Sequence, residues 1–152
     1  MIRCVDHINI VVSDLERSVR FYTEALGLEE TRRAALEGDW IESVVGLAGV
    51  RADVVYVQPR DGGPRIELIQ YHAPEGKAIP ETALPHTIGL RHIAFRVEDM
   101  EAACRRLRDA GAEFIGEPVA VPDGVVKHDA GRKTLCYFRD PDGVILELAH
   151  YG

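Results

Sequence analysis

The stretch His7-Ile8-Asn9-Ile10-Val11-Val12-Ser13-Asp14-Leu15-Glu16 meets a second version of itself eighty-five positions on, as His92-Ile93-Ala94-Phe95-Arg96-Val97-Glu98-Asp99-Met100-Glu101. The two halves also close alike, on Ile66-Glu67-Leu68-Ile69-Gln70-Tyr71 and on Leu146-Glu147-Leu148-Ala149-His150-Tyr151. Such self-similarity sets the architecture, because a short repeat buries too little surface to stand alone and must share a core. In the first copy, residues 4–12 alternate as a strand does, with Ile8, Ile10 and Val12 on one face and His7, Asn9 and Val11 on the other. Ser13-Asp14-Leu15-Glu16 reads as a capping box. The helix it opens carries Leu15, Val19, Tyr22 and Leu26 at helical spacing and ends at Gly27.

Further strands are predicted over about 28–36, 53–58 and 65–71, while residues 40–50 follow neither period. The second copy repeats the order: strand 90–97, helix 99–110, then strands 112–120, 132–139 and 144–150. Its helix keeps the apolar stripe as Met100, Ala103, Cys104, Leu107 and Ala110. Pro122-Asp123-Gly124 marks a loop, and Asp140-Pro141-Asp142-Gly143 a tight turn in which proline presets φ and glycine accepts a positive one. The reading is therefore an α+β chain of two βαβββ modules, 1–71 and 89–152, joined by a connector over 72–88 that has three prolines and no periodicity.

Composition narrows the class of function. With 152 residues, 46% hydrophobic and 28% charged, the chain is that of one globular domain. Its net charge of −7, with no cluster of Lys or Arg, argues against nucleic acid or an anionic membrane as the main partner. Cys4, Cys104 and Cys136 form neither a CxxC pair nor a disulfide framework, which suits a reducing compartment, and Cys104 reads as core filling. Asp6 interrupts the N-terminal apolar run and nothing approaches transmembrane length, so a cytoplasmic protein is expected.

Residues two apart on a strand share a face, which sets His7, Glu67, His92 and Glu147 all on the sheet surface away from the helices. A single strand histidine is ordinarily a hydrogen-bonded residue, and a single glutamate is ordinarily solvated. Here both types recur at equivalent places in both copies, and acids gathered on a partly buried surface need a cation or a proton. A shared metal is the expectation. Trp40, Tyr56, Tyr71 and Tyr137 are candidates to line a substrate pocket, although strand aromatics are more often packing. Arg91 reads as structural, and His72, His86 and His150 as surface residues.

At these residues the chain resembles the vicinal oxygen chelate superfamily, which includes glyoxalase I, methylmalonyl-CoA epimerase, extradiol dioxygenases, and fosfomycin- and bleomycin-resistance proteins. Asp6-His7-Ile8, Phe21-Tyr22-Thr23-Glu24-Ala25-Leu26-Gly27-Leu28, Gly89-Leu90-Arg91-His92-Ile93-Ala94-Phe95 and Asp140-Pro141-Asp142-Gly143 before Glu147 carry the likeness, which spans essentially the whole chain. The resemblance implies the glyoxalase/bleomycin-resistance/dioxygenase fold, an eight-stranded cup around a divalent ion, with His7, Glu67, His92 and Glu147 at the ligand positions. It also implies a homodimer. Glyoxalase I likewise has two His and two Glu, whereas epimerases commonly have Gln where Glu67 stands. The 37–52 segment is longer than in the epimerases, and the inserted helical segments of many glutathione-dependent glyoxalases are missing.

Imidazole and carboxylate without thiolate suit Zn, Ni, Co, Mn or Fe. The chemistry implied is chelation of a small-molecule substrate through neighbouring oxygens and proton transfer α to a carbonyl, as in a glyoxalase-like lyase, isomerase or epimerase. Glu147 and Glu67 are the candidate bases, Glu147 preferred by analogy. An Fe(II) extradiol-type dioxygenase using His92, His128 and Glu147 is one alternative. A metal-independent small-molecule or antibiotic-binding resistance protein is another.

Overall fold

A computed structural model describes residues 1–81, 83–122 and 131–152. The chain divides into two compact units, Met1–Ala78 and Ile79–Gly152, each built on one sheet.

In the first unit β1 (His7–Val11) leads into α1 (Leu15–Arg20), which widens into a π-turn over Phe21–Ala25. Then come β2 (Glu29–Glu37), α2 (Asp39–Val45), β3 (Arg51–Gln58) and β4 (Arg65–Ala73). The sheet order is β1-β4-β3-β2, with β1 parallel to β4 and the other pairs antiparallel. The helix lies across the face carrying Val55, Val57, Ile66 and Leu68, and Tyr22 inserts there with no exposed surface. Each such side chain stabilises the fold by roughly 1.5–3 kcal/mol on burial. Gln70 ties helix to sheet, accepting from Leu15 N at 3.0 Å and donating to Ser13 O at 3.0 Å.

The second unit runs β5 (His92–Val97), α3 (Met100–Asp109), β6 (Glu113–Phe114), β7 (Val119–Ala120), β8 (Lys133–Arg139) and β9 (Ile145–Tyr151). Its sheet is β5-β9-β8-β6, with β7 also on β8. The same parallel first pair and antiparallel remainder recur. Leu107, Phe138, Leu146 and Leu148 are buried between α3 and the sheet.

Mixed α and β structure in two like units agrees with the expected architecture, and three details depart from it. The strand expected over 112–120 is two short pieces, so the sheets hold four and five strands; Gly116 breaks the run and Pro118 has no N–H to give the ladder. The cap of α1 is Asp14 rather than Ser13: its side chain accepts from Arg17 N at 3.0 Å. Asp99 caps α3 in the same way, accepting from Ala102 N at 2.9 Å. The unassigned 40–50 segment holds α2, stopped by Gly46 at φ 70°. Glu42 closes the following loop by accepting from Gly49 N at 2.8 Å. Asp123 and Gly124 of the anticipated loop lie outside the described residues. Among the described residues no helix is long and apolar enough to cross a membrane.

Candidate metal centre

Register decides what meets what. On the first sheet Glu67 of β4 stands between Asn9 of β1 and Tyr56 of β3. Asn9 Nδ2 donates to Glu67 Oε2 at 2.7 Å, and the Tyr56 hydroxyl donates to Oε1. His7 presents Nε2 to Glu67 Oε2 at 3.6 Å, and its ring meets Tyr56 edge-on at 5.9 Å. Its other nitrogen, Nδ1, lies 2.8 Å from Asp6 Oδ2. A carboxylate can only accept, so Nδ1 is the donor to Asp6, and Nε2 is the nitrogen that faces Glu67. Hydrogen bonds from His7 and then Arg65 hold the Asp6 carboxyl below the ordinary range, with Arg65 Nη2 at 2.6 Å. Fixing one imidazole nitrogen on a carboxylate to free the other is how metal-ligating histidines are oriented.

The second unit repeats the core of this arrangement. Glu147 of β9 stands opposite Tyr137 of β8, and His92 Nε2 approaches Glu147 Oε2 at 3.5 Å. The His92 and Tyr137 rings are 5.0 Å apart. Glu147 is the more buried acid, with its side chain 6% exposed against 14% for Glu67. What surrounds the two acids differs. Ala94 holds the place of Asn9, Arg91 that of Asp6, and Lys133 appears with Nζ 3.9 Å from Glu147 Oε1. Burial first, then the hydrogen bond to Glu67, pushes the Tyr56 hydroxyl up to about 12. Burial first, then the charge of Glu147, raises Tyr137 likewise.

Of the four expected ligands the structure thus forms two His–Glu pairs, one per unit; among the described residues no group of three or more His, Cys, Asp or Glu gathers at one point. The donor set of each pair still fits a divalent ion: an imidazole nitrogen and a carboxylate oxygen face one another a little beyond direct hydrogen-bond distance. Tyr56 and Tyr137 join the pairs. Tyr71 packs, as Tyr56 also does, on a cluster of Ala52, Val54 and Ile69. Trp40, on α2, is 58% exposed and outside both groups. His72 sits on β4 rather than in the connector and pairs with Asp53 at 2.9 Å. His128 lies outside the described residues.

A profile described as the Glyoxalase/Bleomycin resistance protein/Dioxygenase superfamily matches residues 5–148. The chain belongs to that superfamily. Among relatives of this superfamily, a 2-epi-5-epi-valiolone epimerase of Actinomyces sp is 29% identical over 149 residues, covering 95% of this chain and 77% of the epimerase. A probable lactoylglutathione lyase of Synechocystis sp. is 29% identical over 143 residues, covering 93% and 91%. A crystal structure of a glyoxalase family protein from Bacillus cereus superposes with a TM-score of 0.84 at 32% identity, covering 99% of this chain and 95% of that one.

Proposed function

We propose that this protein is a divalent-metal-dependent enzyme that moves a proton at carbon α to a carbonyl in a substrate bearing neighbouring oxygens. In this reading His7 and Glu67 supply one half of the ligand set and His92 and Glu147 the other. The observation that carries it is the recurrence, in both units, of a histidine Nε2 facing a glutamate oxygen that a tyrosine opposes across the ladder. Relatives named as a lyase and an epimerase support the reaction class. When bound, a divalent ion would supply Lewis acidity toward the carbonyl oxygen and help acidify the neighbouring C–H.

The chain's own residues divide the remaining work unequally. Each oxygen of Glu67 already accepts from a neutral donor, Asn9 or Tyr56, which fixes the carboxylate and leaves one lone pair on each oxygen for a metal ion. Glu147 lacks an Asn9 counterpart, and Lys133 at 3.9 Å is beyond hydrogen-bond reach. Glu147 is therefore the freer acceptor and the proposed base, taking the α-proton and returning it to carbon or oxygen. Tyr137 stands directly across the ladder from its carboxylate. Lys133, with its side chain 19% exposed and Nζ 3.9 Å from Oε1, lies beside the carboxylate and offsets its charge until it takes the proton. A cytoplasmic homodimer belongs to the same proposal; its support is the scattered cysteine count and the family likeness.

Elemental analysis of protein purified without added metal, followed by assays on methylglyoxal with thiols, acyl-CoA epimers and catechols, tests the reading. Expected are a bound divalent ion, activity lost to a chelator and restored by metal, and exchange of the substrate α-proton with deuterated solvent. Full activity of metal-free protein, or oxygen uptake with catechols in place of proton exchange, would overturn it.

A further inference from the structure

Three sulfur atoms meet inside the second unit, apart from both His–Glu pairs. Cys104 Sγ of α3 is 3.8 Å from Cys136 Sγ of β8, and Met100 Sδ, one turn before Cys104, is 3.8 Å from each. The two cysteines are 2% and 5% exposed, while Met100 is half-buried and reaches the surface. Three atoms at equal separations define a triangle; its centre lies about 2.2 Å from each corner, close to the ~2.3 Å of a metal–thiolate bond. No His, Asp or Glu joins the cysteines as a third ligand among the described residues. Among the described residues the set is then three sulfurs and no nitrogen or oxygen ligand, and soft sulfur donors of this kind favour a soft monovalent ion.

We propose that Met100, Cys104 and Cys136 form a trigonal binding site for copper(I). The ion enters past the half-buried Met100. It displaces the two thiol protons to solvent and leaves two Cu–S thiolate bonds and one thioether bond, with no change of oxidation state. Because two thiols become thiolates, each ion bound releases two protons. Affinity should therefore rise with pH. The Leu148 backbone hydrogen bond and the charge of Arg108 both favour the thiolate at Cys136 and offset part of the cost of burying it.

The test uses the full-length protein carrying Cys4→Ser, which removes the exposed thiol, titrated anaerobically with the copper(I)–bicinchoninate complex. One copper(I) per chain should pass from the chelator to the protein, and proton release should approach two per ion. X-ray absorption should report only sulfur neighbours. Cys104→Ala and Cys136→Ala should lose the ion. Met100→Leu, nearly isosteric and so expected to fold, should weaken binding about tenfold or more by removing the thioether. No transfer from the chelator, transfer unchanged in Met100→Leu and either cysteine variant, or nitrogen and oxygen neighbours around the copper would each overturn the site. Should the cysteine variants not fold, the Met100→Leu titration and the absorption spectrum decide it.

Discussion

Tyr56 donates its hydroxyl to Glu67 from the directly opposed position on the neighbouring strand, so the acid is fixed by the ladder itself. Tyr137 stands in the same register to Glu147. Orienting partners of this kind typically change metal affinity about 10–100-fold when removed. Tyr56→Phe should accordingly weaken metal binding within that range and leave the melting temperature nearly unchanged, as isothermal titration and calorimetry would show.

The unequal treatment of the two acids predicts unequal variants. Glu147→Gln should lower kcat about 10²–10⁴-fold, the usual contribution of a positioned base. It should also stop α-proton exchange. Glu67→Gln should act first on metal retention, with activity partly recovered at high metal concentration. Steady-state kinetics across a metal titration would distinguish the two. Equal recovery in both variants would show the assignment of roles to be wrong.

Asp6 orients the His7 ring by contacting Nδ1 at 2.8 Å. Asp6→Asn keeps the size but can offer the ring an amide in place of a full charge, so metal affinity should fall about tenfold or more. The second unit has arginine at the corresponding place, so Arg91→Gln should leave affinity close to that of the parent. Competition against a chromophoric chelator reads both.

Alkali should destabilise the fold earlier than the count of surface charges suggests. Burial pushes the Cys136 thiol up from 9.0 to about 12, the nearby Cys104 adding to it. Between those values the unfolded chain has given up the proton and the native chain has not. Stability from this group is thus complete below pH 9 and declines as pH rises toward 12. Denaturant midpoints measured across that window should fall, and fall less steeply in Cys136→Ala.

Asp99→Ala removes the side chain that accepts from Ala102 N at the start of α3. The expected loss is ~1 kcal/mol, visible in urea unfolding. Ser13→Ala, by contrast, should cost less than Asp14→Ala, because Asp14 holds the cap of α1.

Much of this molecule is legible in its sequence because alternation and helical spacing are local, and because duplication confirms each of them twice. Asp14 and Asp99 illustrate the point: they occupy the same place in the repeat, and that alignment locates the cap better than the Ser-x-x-Glu pattern does. Asn9, Asp6 and Lys133 escaped for the opposite reason. A search for recurrence discards whatever has only one copy, and their counterparts are Ala94, Arg91 and Ala52. Asp6 also violates strand alternation with respect to His7. It can do so because β1 begins at His7, leaving the preceding residue free to turn. The placing of Trp40 was not legible, since α2 follows no long periodic run and its exposed face could not be read without the loop that Glu42 closes. The triangle of sulfurs was hidden because Cys136, on a strand, lies thirty-two residues beyond Cys104 of the helix that carries the other two.

The interruption between β6 and β7 has a consequence for life in a crowded cell. A duplicated chain carries two nearly interchangeable ribbons, and each outer ribbon could accept the wrong copy or a neighbouring molecule. In the second unit the outer strand is cut into pieces of two residues, too short to template an intruder. In the first, β2 runs for nine residues but presents Glu29, Glu30, Arg32 and Arg33, whose charges would have to be stripped of water by any strand laid beside them. The two margins are thus guarded by different means, charge in one unit and fragmentation in the other.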